Sequence, residues 1–404
     1  MNAPSEAAPA ASAVNEERRA MGVACGAHAL HDGYTDLIYV MLPIWQGEFA
    51  LSYAVLGLMK TMFSLTLAGL QIPAGRLAER FGMPLVLALG TALAGVGFCV
   101  AGLSQGIAAL MAALVIAGVG ASVQHPLASA MVARAYAGPR SLKALGTYNF
   151  AGDIGKMTLP VAGSLLMIVM PWRPTLGLLG ALGVLAAVAI YLAAPGLARE
   201  APPPTKNESS APRGARLSQF GFPLLLSVGI LDSATRMAFL TFLPFVLTAK
   251  GASLPVIGFA LTLVFTGGAA GKLACAFIGA RIGAVATVWL TEAATALGIV
   301  VLLKVPLEAA LVLLPVIGIA LNGTSSVLYG SVPDLVEPAR RTRAFGIFYT
   351  GTIGAGAISP AIYGLLGDAV GVPAALLTVA AVVLVTLPVT LALRPALARR
   401  ADAN

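Results

Sequence analysis

Runs of about 20 apolar residues, each closed by a Gly, a Pro or a few charges, follow one another along nearly the whole chain. A run of that length is what an α-helix needs to cross the hydrocarbon core of a bilayer. Twelve windows can be marked, near 21–45, 54–78, 84–103, 106–133, 142–169, 174–194, 219–248, 255–280, 283–303, 306–332, 342–367 and 372–393. Several contain Gly or Pro, which membrane helices tolerate. The only long polar stretch, "APGLAREAPPPTKNESSAPRGARLSQ", separates the sixth window from the seventh and has the composition of a linker. The pattern predicts an all-α integral membrane protein of twelve transmembrane helices in two six-helix halves. Its expected parts are a disordered tail (1–20), a bundle (21–194), a linker (195–218), a second bundle (219–394) and a short tail (395–404).

The two halves repeat. Aligning "HDGYTDLIYVMLP" (31–43) with "LDSATRMAFLTFLP" (231–244) sets Asp32 against Asp232 and Asp36 against Arg236. Farther on, Gly57 matches Gly258, Gly82 matches Gly283, Gly146 matches Gly346 and Pro160 matches Pro360. Two parallel six-helix repeats are the plan of a transporter that rocks around a central site.

Composition agrees with this plan. The 404 residues are 58% hydrophobic and 10% charged, with a mean hydropathy of +0.89. The formal charge of +8 lies in short clusters between windows, which signals membrane topology and excludes a nucleic-acid footprint. With the N-terminus inside, the inner segments hold 18 Lys and Arg and the outer loops only Arg173, Lys250 and Lys304. Under the positive-inside rule both termini face the cytoplasm. Cys25, Cys99 and Cys275 have no CxxC spacing and read as packing residues. There is no nucleotide-binding loop, so energy should come from an ion gradient rather than ATP.

Charges inside the windows are the candidate chemistry, because each costs several kcal/mol in lipid and belongs to a polar cavity. In the first window His28, Asp32 and Asp36 recur every four residues on one helix face, with His31 and Thr35 beside it. At 1.5 Å per residue from Met21, Asp32 lies about 16 Å deep, near the bilayer centre. A buried carboxylate beside an imidazole is the chemistry of a reversible proton carrier. The alternative is a packing cluster whose polar groups satisfy one another. In the fifth window Asn149, Asp153 and Lys156 share a face and have no charged counterpart in the repeat. Lys156 is suited to attract a substrate anion, or to pair with Asp153 in the empty site. In the seventh window Asp232 and Arg236 form either an internal salt bridge or a site where the Arg fork binds a carboxylate, phosphate or phosphonate. Asn322, Tyr148 and Tyr349 are further candidate substrate partners. Lys60 and Lys272 are expected to snorkel or to serve a gate, and Glu292 has no assigned role.

"GRLAERFG" (75–82) matches the G-x-L-A-[DE]-R-x-G loop motif of the major facilitator superfamily. Its Gly75, Glu79, Arg80 and Gly82 form a tight turn with charges that latch helix ends, and His125 and Arg134 join them as candidate gating residues. "HALHD" (28–32), "LSYAVLGL" (51–58) and "QHPLA" (124–128) resemble the fosmidomycin-resistance-like branch of that superfamily. The resemblance implies proton-driven export of small, often anionic or amphipathic compounds. The expected protein is thus a multi-pass inner-membrane transporter, not an enzyme. Its partners are protons, a small molecule and the lipid bilayer, with no cofactor, no metal and no nucleic acid, and it is expected as a monomer. Proton-symport uptake of an organic anion is the alternative. A membrane-embedded metal-dependent enzyme or sensor is the third reading, against which the repeat and the loop motif weigh.

Overall fold

The computed structural model describes residues 11–136, 139–195, 220–337 and 340–401. Among them are fifteen helices and no strand. The first half holds α1 (Ala11–Phe49), α2 (Tyr53–Gly69), α3 (Gln71–Phe81), α4 (Met83–Leu103), α5 (Ile107–Ala121), α6 (Gln124–Ala135), α7 (Pro139–Val169) and α8 (Trp172–Ala193). The second holds α9 (Gly221–Ala249), α10 (Leu254–Ile282), α11 (Ala284–Lys304), α12 (Leu307–Leu335), α13 (Arg341–Val370), α14 (Val372–Leu384) and α15 (Thr386–Ala401). The expected linker lies almost wholly outside the described residues.

Fifteen helices correspond to the twelve windows because three windows are broken, each just before a proline. Pro73, Pro126 and Pro388 lack the N–H that would bond the carbonyls of Gly69, Ser122 and Leu384, and the chain breaks at those points. At the first break α2 and α3 meet at 43°. Ten stretches are long and apolar enough to span a bilayer, and eleven when α2 and α3 count as one. The remaining window is α1, whose own His and Asp residues lower its apolarity.

One expectation about the ends is corrected. Residues 11–20, expected in a disordered tail, continue α1. Glu17 pairs with Arg140, and the Arg19 guanidinium donates to the carbonyls of Ala193 and Leu192, which ties this turn to the bundle. The final segment is also helical, through Ala401.

The halves share one core on the side away from the termini. That cluster runs from Leu37, Trp45 and Phe63 to Phe239, Phe242 and Tyr363. Toward the termini the core divides. One cluster, including Ala24, Met131 and Tyr148, belongs wholly to the first half, and another, including Val228, Val332 and Phe348, to the second. The bundle is therefore closed at one face and parted at the face that carries both termini.

The closed seam is made of repeat-related contacts. Gly57 of α2 lies against the Pro360 carbonyl of α13, and Gly258 of α10 against Val161 and Ser164 of α7. The Thr262 hydroxyl of α10 donates to the Met157 carbonyl of α7 at 2.5 Å. The first amides of α2 are satisfied partly from the other half. Tyr53 and Ala54 donate to the Asp368 carboxylate of α13 at 2.7 and 3.0 Å, while Val55 donates to Ser52 Oγ.

Candidate functional site

Helix α7 comes close enough to α1 to complete a polar cluster because it presents glycine at the contact. Gly155 rests on the Ala29 backbone. A Cβ at Gly152 would lie 2.6 Å from Asp32 Oδ2 and 2.7 Å from the His28 ring, so the glycine makes room for both. Asp32 and His28 are 6% and 4% exposed.

All three histidines of the chain gather around Asp32. Their Nε2 atoms lie 3.4 Å (His28), 3.8 Å (His31) and 4.0 Å (His125) from its carboxylate oxygens. Lys156 Nζ is 3.2 Å from Oδ2. The His28 ring stacks on Tyr148 at 4.1 Å, and its Nδ1 lies 2.9 Å from the Tyr148 carbonyl. A carbonyl only accepts, so Nδ1 carries a hydrogen. In neutral His28 the Nε2 lone pair then faces a carboxylate oxygen. That 3.4 Å contact is between two acceptors, and the donor on the same oxygen is Lys156. The His125 side chain is 43% exposed, against 5% and 6% for His28 and His31, so the cluster reaches the surface through it.

The ligand atoms of His28, Asp32 and His125 lie within 4.8 Å of one another, a spacing from which a metal could be reached. The Lys156 ammonium already stands where such a cation would meet Asp32, which disfavours it.

Four expected placements differ in the structure. Lys156 bonds Asp32 rather than Asp153. Asp153 is held by Lys272 of α10, whose Nζ donates to both carboxylate oxygens at 2.6 and 2.9 Å. Lys272 is thus a tie between the halves, not a snorkelling residue. Lys60 also turns inward. It is 1% exposed, donates to the Thr35 carbonyl at 2.8 Å and sits 4.4 Å from the Tyr39 ring centroid. Of the two readings of Asp232 and Arg236, the salt bridge is not formed, since no ion pair within 4.0 Å joins them among the described residues. Arg236 is half-buried and its Nε has no partner.

Neutral replacement of one partner in the Asp153–Lys272 tie leaves the other charge unpaired in the membrane. Asp153→Asn and Lys272→Met should each lower the melting temperature in detergent. The double variant should melt above either single one, and strictly additive losses would show the tie to be unimportant.

A family model described as the Major Facilitator Superfamily matches residues 24–231 and 224–404, one match for each half. The chain belongs to the Major Facilitator Superfamily. It is 25% identical to the fosmidomycin resistance protein of Escherichia coli (strain K12) over 379 residues, 90% of this chain and 91% of that one. It is also 32% identical over 158 residues to the cephamycin export protein CmcT of Amycolatopsis lactamdurans, covering 39% of this chain and 32% of that one. In fold it matches a bacterial homologue of the human lysosomal transporter Spinster in an inward-facing, occupied conformation. The TM-score is 0.78 at 15% identity, over 94% of this chain and 97% of the other.

This superfamily member places its other candidate residues apart from the Asp32 cluster. Asp36 is 5% exposed, one turn along α1, within electrostatic range of Lys60 and Lys156 but in no ion pair among the described residues. Asn322 donates to the Gly318 carbonyl of its own helix. Tyr349 is 50% exposed and meets Tyr329 edge-on, and Asn149 is exposed on α7. In the loop motif Gly82 takes φ of +91°, the turn that only glycine makes without strain. Gly75 is half-buried, whereas Glu79, Arg80 and Arg134 are exposed. None of these three charges is in an ion pair among the described residues.

Sequence spacing missed the place of His125 in the cluster, the Lys272 tie and a carboxyl contact between Asp232 and Glu292. The signal for His125 was present, since "QHP" puts a histidine at a proline break at the depth of Asp32.

Proposed function

We propose that the chain is a proton-coupled secondary transporter that exports a small polar, anionic or amphipathic compound by alternating access. It works as a monomer in a bacterial inner membrane with both termini in the cytoplasm. The observation that carries the proton assignment is His28 Nε2 facing Asp32 Oδ2 while Nδ1 is committed to the Tyr148 carbonyl. A proton arriving there turns a repulsive contact into a charge-assisted hydrogen bond. A substrate donor that takes its place on Asp32 displaces it, and this is the linkage an exporter needs. Two named relatives, a fosmidomycin resistance protein and a cephamycin exporter, support the outward direction. The excess of Lys and Arg in the inner segments supports the orientation.

One contact favours proton-symport uptake of an anion as the second reading. Lys156 pairs with Asp32, so a proton that neutralises Asp32 frees the ammonium for an anion, and the two ligands then bind together. The sign of linkage decides between them. Fosmidomycin, a cephamycin and simple organic anions are added to weakly buffered purified protein while its pH is read. Proton release on binding supports export by exchange, proton uptake supports symport, and no change for any ligand that binds overturns coupling at this site.

Arg236 is assigned to the substrate anion. Arg236→Gln should weaken binding of an anionic ligand at least tenfold, and Arg236→Lys less, because Lys keeps the charge but not the fork. Calorimetric binding to folded protein measures this, and unchanged affinity in Arg236→Gln removes the residue from the site.

A further inference from the structure

In the second half, α9 and α11 each bring a carboxyl into the core. Asp232 is 4% exposed and Glu292 1%. The two carboxyls meet within hydrogen-bonding reach of each other. Carboxylates only accept, so this contact forms only when the pair holds a proton.

A second observation agrees. Glu292 Oε1 is buried and has no hydrogen-bond partner among the described residues. A bare carboxylate oxygen in that position costs far more than the carbonyl oxygen of a neutral acid.

No Lys, Arg or His nitrogen among the described residues lies within 4.0 Å of either carboxyl. The charged group acting on both is Arg236, one turn from Asp232, and its own neighbours are Tyr39 of α1 and Lys272 of α10. Two ionised carboxylates in contact, with no close counter-ion and little water, are not a stable arrangement.

We infer that Asp232 and Glu292 form a second proton-binding site, which holds one proton between the two carboxyls. With the proton bound the pair carries a single negative charge, and the Arg236 fork stays open to an anion. Without it, two adjoining carboxylates draw the guanidinium one turn back onto Asp232. The site gates Arg236 and is separate from the cluster at Asp32.

Infrared difference spectroscopy of the full-length protein in lipid nanodiscs, exchanged between water and heavy water at neutral pH, reads the proton directly. The expected spectrum has a carboxylic-acid C=O band that survives Asp32→Asn, disappears in Glu292→Gln and shifts in frequency in Asp232→Asn. The same acid band in Glu292→Gln as in the wild type, with a carboxylate band lost instead, overturns the site. If Glu292→Gln does not fold, Asp232→Asn decides alone, since an unshifted band means that the carboxyls do not share a proton. The measurement uses neither substrate nor flux, so failure of coupling at Asp32 leaves its outcome unaffected.

Discussion

Asp32→Asn should abolish transport driven by a pH gradient while exchange of substrate across the membrane continues. Asparagine keeps the size of the side chain and fixes it in the state that mimics a bound proton. A carrier that cannot release a proton cannot tie proton flow to its conformational cycle, yet it can still rock with substrate bound. The structure sharpens this expectation. Asp32 is the one carboxylate approached by His28, His31, His125 and Lys156, so its charge organises the whole cluster. Coupled flux should fall to the level of empty liposomes, and counterflow in the same proteoliposomes should stay within a few-fold of wild type. Asp36→Asn should be milder, since Asp36 has no ion pair of its own among the described residues. Size-exclusion chromatography checks folding. Normal coupled flux in Asp32→Asn would move the proton assignment to the Asp232–Glu292 pair.

Gly57→Leu is expected to have the second large effect, on the conformational equilibrium rather than on chemistry. The Gly57 Cα packs on the Pro360 backbone, with Ala361 beside it, and backbone has no rotamer with which to give way. Overpacking of this kind costs about 1–3 kcal/mol, which shifts a two-state equilibrium about 5- to 150-fold. The variant should favour the state in which the seam between α2 and α13 is open. Spin labels at Gln105 and Glu308, in a background without Cys25, Cys99 and Cys275, read the opening as longer distances on the side away from the termini. Gly69→Leu is the control, because nothing lies within 4 Å of a Cβ there. Equal distance distributions in wild type and Gly57→Leu would falsify the seam's role.

Much of the fold was legible in the chain because two patterns agree. Apolar windows set the passes, and matched residues such as Gly57 with Gly258 set the repeat. The structure explains that second match, since each glycine is where one half's second pass leans on the fifth pass of the other. The cluster on α1 was legible for the same reason, as helical spacing places His28, Asp32 and Asp36 on one face. What spacing does not carry is contact between helices. Lys272 reaches Asp153 over a gap of 119 residues, and Glu292 meets Asp232 from another pass. Long side chains also choose their direction late. Lys60 lies near enough to a helix end to snorkel, yet a carbonyl and two aromatic faces draw it inward. The helical start at Ala11 rests on Glu17 and Arg140, partners that neither residue's local sequence announces.

The cap that Asp368 lends to α2 gives the cycle an energy scale. When the closed face parts, Tyr53 and Ala54 lose a carboxylate that no residue of their own half replaces, while Ser52 still serves Val55. A helix-capping contact of this kind is worth about 0.5–2 kcal/mol, or about a 2- to 30-fold bias between the two faces. A bias of that size can be reversed by a cargo that binds one face tenfold to a hundredfold better than the other. The resting preference of the carrier is therefore set within the range that millimolar and micromolar ligands command, and weak cargo is enough to turn it over.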